Sequence, residues 1–162
     1  MGTRSLTRVI PRQEGLSYSE GHNKPELSSV NMYQQYDGHP YSWGVELAKF
    51  LNGFKIVNGL GFKERSKKLN EIANGTHCLA AQLVREFKNA PGYTYLYPTS
   101  GEVGDYGEEY IYTVYPKTNS RIYIAIYDVY AKEVIFVGTP DELIKKYSSN
   151  VDLLKSLSNY GG

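Results

Sequence analysis

The stretch Glu109 to Val137, EYIYTVYPKTNSRIYIAIYDVYAKEVIFV, decides how this chain folds. It holds three β-branched and aromatic runs, Glu109 to Tyr115, Arg121 to Tyr127 and Glu133 to Val137. Between them stand Pro116-Lys117-Thr118-Asn119-Ser120 and Asp128-Val129-Tyr130-Ala131-Lys132, segments with turn residues and no apolar period. Connections this short leave no room for a crossover helix, so the runs read as an antiparallel meander. Along the middle run Ile122, Ile124 and Ile126 point one way, and Tyr123, Ala125 and Tyr127 the other. In the preceding run Tyr110 and Tyr112 oppose Ile111 and Thr113. This alternation predicts one face built for a core and one lined by the phenols of Tyr110, Tyr112, Tyr123 and Tyr127. Such a face suits stacking against a base or a partner protein, because tyrosine offers rigid amphipathic area with little entropy to lose. The rival reading is ordinary packing, with neighbouring elements covering the rings.

Upstream, Thr3 to Ile10 reads as a strand closed by Pro11, with Arg4, Leu6, Arg8 and Ile10 on one face. Residues 12–28 carry Gly15, Gly21 and Pro25 without periodicity and read as an irregular loop or insertion. Val30 to Tyr36 alternates and ends at the turn Asp37-Gly38-His39-Pro40. Trp43, Leu47, Phe50, Leu51 and Phe54 then form a helical stripe, with Ser42 placed to cap it and Glu46 near its positive end. A Gly-rich break around Asn58, Gly59 and Gly61 leads to a charged stretch, Lys63 to Lys68, that suits a short solvated helix. Thr76 can cap a second helix with the stripe Ala80, Leu83, Val84 and Phe87, closed by Asn89, Pro91 and Gly92. Tyr93 to Tyr97 adds a further strand. Thr139-Pro140-Asp141-Glu142 is a capping box with proline at the first helical position, ahead of Leu143, Ile144 and Tyr147. A terminal helix is expected from Asn150, carrying Val151, Leu154 and Leu157. Strands at both ends with helices grouped between and after them predict one α+β domain over residues 1–162. Its sheet is mixed or largely antiparallel, and its helices pack mainly on one face.

Composition bounds the function. A chain of 162 residues with 41% hydrophobic positions can bury a sizeable core unaided, roughly 70% of its unfolded surface at this length. Eighteen basic against seventeen acidic residues leave a net charge of +1, too small a field for a dedicated nucleic-acid coat or a polybasic membrane binder. The single cysteine, Cys78, excludes an internal disulfide framework and is expected as a small core residue. The opening Met1-Gly2-Thr3-Arg4-Ser5 has no apolar h-region behind it, and no stretch approaches the ~20 apolar residues of a membrane span. A cytoplasmic protein is therefore expected.

Few residues carry chemistry. Arg4 and Arg8 share a strand face and suit phosphate or carboxylate, yet no glycine-rich phosphate cradle accompanies them; pairing with the chain's own carboxylates is the rival reading. His22, His39 and His77 show no metal-ligand spacing. Glu102, Asp105, Glu108 and Glu109 fit no calcium-binding loop and read as a solvated acidic loop. No catalytic residues, metal or cofactor are assigned.

Two passages, Met1 to Ile10 and Tyr33-Gln34-Gln35-Tyr36-Asp37-Gly38-His39-Pro40 with Gly44 and the helix Val45 to Leu51, resemble a group of small uncharacterised proteins of tailed bacteriophages and bacteria. These open with M-(G/A)-T-R-(S/G) and carry an aromatic-D-G-(Y/H)-P turn before an apolar helix. The passage Val137-Gly138-Thr139-Pro140-Asp141-Glu142-Leu143 is similar to their C-terminal end. The resemblance implies a setting, the cytoplasm of an infected bacterium, and carries over no catalytic role. If the first two strands pair, Arg4 and Arg8 are expected near Asp37. The leading expectation is a phage accessory protein acting by non-catalytic binding, inhibiting a host or anti-phage defence component. Its candidate contact residues are Arg4, Arg8, Tyr36, Asp37, His39, Tyr110, Tyr112, Tyr123 and Tyr127. The alternatives are a nucleotide-binding or nucleotide-sequestering protein or phosphoester-directed enzyme, and a virion or assembly component. An uncovered tyrosine face would also suit a homodimer.

Overall fold

The meander forms as expected: β6 (Tyr110–Pro116), β7 (Ile122–Asp128) and β8 (Glu133–Gly138) pair antiparallel in sequence order. The computed structural model describes residues 2–11, 18–60, 71–117 and 121–148. The expected helix at Lys63 to Lys68, the terminal helix from Asn150 and the first part of the irregular loop lie outside the described residues. Upstream come β1 (Ser5–Val9), β2 (Asn31–Gln34), β3 (Lys55–Val57), β4 (Ile72–Asn74) and β5 (Thr94–Leu96). The helices are α1 (Val45–Leu51), α2 (Gly75–Phe87) and α3 (140–148).

Six strands make one sheet in the order β5-β2-β1-β6-β7-β8, and β3 pairs β4 in a separate two-stranded sheet. Only the β1–β6 contact of the large sheet is parallel, so the sheet is mixed and the fold is α+β. The small sheet was not read from the sequence, because three-residue strands are too short for a period to show. Short 3₁₀ turns at Tyr18–Asn23 and Pro25–Leu27 follow β1.

The three α-helices of the described residues contribute to one core against one sheet face. Leu47 and Leu51 of α1, Leu79 and Leu83 of α2, and Leu143 of α3 share a cluster with Val9, Met32, Tyr112, Val114, Ile122, Ile124 and Ile126. Burying each such aliphatic side chain contributes about 1.5–3 kcal/mol. Trp43 and Phe50 both meet Phe87 edge-on, at 4.6 and 5.7 Å between centroids, which locks α1 to the end of α2. The capping box at α3 is complete. Glu142 Oε1 accepts from the Thr139 amide at 3.1 Å, and the Glu142 amide donates to Thr139 Oγ1 at 3.3 Å. Ser42, expected as the cap of α1, lies instead inside a π-helical turn, Pro40–Gly44, and its hydroxyl donates to the Asp37 carbonyl at 2.6 Å. Pro40 sets the dihedral that starts this turn, so the chain coils before α1 proper begins.

Candidate binding surface

Register decides where the tyrosines go. β6 and β7 pair Tyr112 with Ile126 and Tyr115 with Tyr123, so Tyr110 and Tyr112 share the isoleucine face while Tyr123 and Tyr127 take the opposite one. The expectation of a single face lined by Tyr110, Tyr112, Tyr123 and Tyr127 is therefore corrected. Tyr112 is fully buried, and its hydroxyl donates to the Gly38 carbonyl at 2.6 Å. Removal from water pushes its phenol pKa well above the ordinary value. Tyr110 is half-buried and meets the His39 ring edge-on at 5.7 Å.

The opposite face carries a row of side chains crossing five strands: Tyr95, Tyr33, Leu6, Ile111 and Tyr127. It too is largely covered. Tyr97, Val103 and Tyr106 from the loop after β5 pack on Leu6, Tyr33 and Ile111, and His22 stacks on Tyr127 with centroids 3.6 Å apart. Tyr123 stays half-buried beside Tyr115, with Lys117 Nζ 4.0 Å over its ring.

Arg4 and Arg8 do lie on that face, but neither meets Asp37 in a salt bridge among the described residues. Arg8 is buried opposite Asn31, where Nε donates to Asn31 Oδ1 at 3.2 Å and Nη1 to the His22 carbonyl at 2.9 Å. Asp37 sits at the other end of β1, beside Thr3, because antiparallel pairing runs the two chains past each other. Burial lowers the Arg8 pKa, and the charge of Glu108 opposes that shift. The acidic loop is also corrected at one residue: Glu108 is buried, accepting from the Gly104 amide at 2.5 Å and the Tyr106 amide at 3.1 Å. Those two amides, not solvent, hold its carboxylate. Cys78 is half-buried against the main core, its thiol donating to Gln82 Oε1 at 3.3 Å.

The chain start and the turn after β2 come together. A Cβ on Gly38 would stand 2.8 Å from Ser5 Cβ and 2.9 Å from the Thr3 carbonyl, and one on Gly2 would run into the Tyr36 ring. A 2.6 Å hydrogen bond joins Thr3 Oγ1 and His39 Nε2, and the His39 ring stacks on Tyr41 at 4.9 Å. Trp43 Nε1 donates to Thr7 Oγ1 at 2.8 Å. Gly44 faces Tyr112 and Leu143, which brings the end of the C-terminal passage to the same place. Tyr36, Asp37, His39, Tyr110 and Tyr112 thus form one neighbourhood, whereas Arg8, Tyr123 and Tyr127 belong to the other side of the sheet.

Beside this neighbourhood lies an exposed strip that the sequence reading did not single out. Tyr36 (46% exposed), Tyr93 (38%), Tyr95 (41%) and Leu96 (61%) are exposed around edge strand β5, with Tyr95 and Leu96 on its two opposite faces. The Tyr36 and Tyr93 rings stack at 6.2 Å and 28°. Asp37 and Tyr93 both hold left-handed backbone, φ 58° and 66°, a conformation that is strained for an aromatic residue. The signal for Tyr93 was its place after Pro91-Gly92, where a chain reversal hands over to the strand. Among the described residues, two clefts lie elsewhere. One, of about 570 Å³, sits between the end of α1, β3 and the start of α3, with Lys55, Arg121 and Asp141 around Leu51, Phe54 and Ile122. The other, of about 340 Å³, is bounded by His22, Asn23, Pro25 and the residues Gly101 to Val103. Neither includes one of the nine candidate contact residues, although His22 and Glu102 line the second. Among the described residues no helix is long and apolar enough to cross a membrane. Comparison with protein-family models, curated proteins and solved structures finds no match.

Proposed function

We propose that this chain is a non-catalytic binding protein that engages a partner protein through edge strand β5 and the aromatic side chains beside it. The observation that carries the reading is the exposure of Tyr95 and Leu96 on edge strand β5 together with Tyr36 and Tyr93 beside it. An edge strand offers backbone for a partner to pair with, and tyrosines are among the residues that concentrate binding energy at protein interfaces. The setting implied by the sequence resemblance is a phage-infected bacterium, with a host or defence component as the partner. The nucleotide reading has less support, because two donors of the Arg8 guanidinium are held by Asn31 and the His22 carbonyl.

The test is capture from infected cells with the tagged chain, its Tyr95→Ala/Leu96→Ala variant, and Tyr130→Ala as a control. Tyr130 is the most exposed large hydrophobic side chain among the described residues (73%) and lies on the β7–β8 turn, away from the strip. A protein retained by the wild type and the control but lost by the double variant supports the reading. Retention by all three overturns it. Metabolite extraction from the same samples that yields a nucleotide instead of a protein favours the alternative.

A further inference from the structure

The Tyr36–Tyr93 pair differs in its charges from the four rings that carry a lysine. Lys88 Nζ lies 5.5 Å from the Tyr95 centroid, Lys117 4.0 Å from that of Tyr123, and Lys146 5.7 and 5.3 Å from those of Phe136 and Tyr147. The chain thus places its own ammonium groups against these aromatic faces. Among the described residues no cation stands over Tyr36 or Tyr93. The charges that act on the Tyr93 hydroxyl are the carboxylates of Asp37 and Glu46, which add to burial in raising its pKa. Both carboxylates are exposed, and neither has an ion-pair partner among the described residues. Lys88, the residue that ends α2, is tied by its Nζ to the Gly92 and Thr94 carbonyls at 3.0 and 2.8 Å.

The position is held firmly. Gly2 packs against Tyr36, the Gln35 amide donates to the Tyr93 carbonyl at 2.9 Å, and Glu46 is fixed in the first turn of α1. Two stacked π faces, with Asp37 next in sequence to Tyr36 and the charge of Glu46 reaching the Tyr93 hydroxyl, present a negative, preformed surface. The same carboxylates oppose a phosphate backbone, which argues against nucleic acid as the occupant.

We infer that the stacked pair Tyr36–Tyr93, with Asp37 and Glu46 beside it, receives a cationic side chain, an arginine or lysine displayed on the partner protein. This rests on the reading of the β5 edge as a partner surface and names the chemistry of what docks there. A guanidinium fits best, since it stacks on a ring through its plane while its N–H groups reach a carboxylate.

The probe is acetyl-tetraarginine amide, titrated into the isotope-labelled full chain while backbone amide resonances are followed, with acetyl-tetraglutamate amide as the control. Saturable shifts centred on Tyr36, Asp37, Glu46 and Tyr93, weakening as salt is raised, support the inference. Asp37→Asn/Glu46→Gln should weaken the response by about fivefold or more while the remaining spectrum stays in place. Asparagine tolerates the left-handed backbone at position 37, so this variant tests charge and not folding. Tyr36→Leu, which keeps apolar area and removes the π face, should weaken it by about two- to fivefold. Absence of saturable shifts, shifts confined to the acidic loop around Glu102 and Asp105, or indifference to the double variant would each overturn the inference. So would a dimer that the double variant dissolves without any peptide response, which would make a second copy the occupant. Partner capture that survives Asp37→Asn/Glu46→Gln but not Tyr95→Ala/Leu96→Ala would overturn the cationic assignment and leave the edge as the partner surface.

Discussion

The hydroxyl of Tyr112, in the middle of the sheet, donates to the main-chain carbonyl of Gly38 at 2.6 Å across 74 residues of sequence. This bond fastens the turn after β2 to the buried face of β6, and through that turn it sets the position of Tyr36, Asp37 and the first helix. A buried carbonyl left without its donor carries a desolvation cost. Tyr112→Phe should therefore destabilise the protein by about 1–3 kcal/mol with little change in denaturant slope. Urea unfolding monitored by circular dichroism measures it, and an unchanged midpoint would mean that the bond contributes nothing.

The same residue predicts a response to alkali. Burial raises the folded-state pKa of Tyr112 above the 10.0 of a free phenol, so the folded form disfavours the phenolate. The stabilising contribution is complete below about pH 10 and is lost as pH rises from there toward the folded value. Tyr33, Tyr93, Tyr110 and Tyr147 are raised as well and add to the slope. Between pH 9 and 11 the wild type should lose stability faster than Tyr112→Phe, so the gap between them should narrow as pH rises; parallel curves would count against this.

Gly38 is required for space. Its φ is not in the left-handed region, yet a Cβ would meet Ser5 Cβ at 2.8 Å and the Thr3 carbonyl at 2.9 Å. Gly38→Ala should cost about 1–3 kcal/mol. Adding Ser5→Gly removes one of the two clashes and should recover part of that loss in a double-mutant cycle, whereas strict additivity would show that the clash with Ser5 is unimportant.

Arg8 separates packing from hydrogen bonding. Arg8→Ala leaves a cavity and removes the donors that reach Asn31 Oδ1 and the His22 carbonyl, at a cost of about 3 kcal/mol or more. Arg8→Met refills most of the volume and should destabilise less. Equal losses in thermal unfolding would place the whole effect in the lost hydrogen bonds.

The capping box at α3 predicts an acid response. Hydrogen bonds from Thr139 hold the Glu142 carboxyl below its ordinary pKa. Its stabilisation is present above the unfolded value and is lost as pH falls through the lower folded one. Thr139→Ala should cost about 1 kcal/mol at neutral pH. Glu142→Gln should flatten the acid limb of the stability profile, and an unchanged limb would remove Glu142 from it.

The meander, the first two strands, the Asp37-Gly38-His39-Pro40 turn and the α3 start were legible because each depends on neighbours in sequence: alternation, turn residues, a cap three residues from its partner. The site was less legible. Tyr36, Asp37 and His39 were singled out and do lie together, but Tyr93, Tyr95 and Leu96 were passed over, because nothing local says that β5 is an edge. Arg8 and Glu108 read as surface charges and are buried, since the elements covering them, the turns before Leu27 and the loop after β5, have no pattern that announces where they pack.

What the sequence determined by itself was the strands of the large sheet, the helices and the two faces of each of those strands, since backbone geometry alone alternates side chains from one residue to the next. Which faces join was decided only by register. Pairing Tyr112 with Ile126 sent two of the sheet tyrosines into the core, and placing β5 outermost left Tyr95 and Leu96 in solvent beside Tyr36 and Tyr93. Strand pairing satisfies backbone hydrogen bonds in any register, so burial across the whole sheet has to choose between registers, and that sum does not exist until the chain has folded.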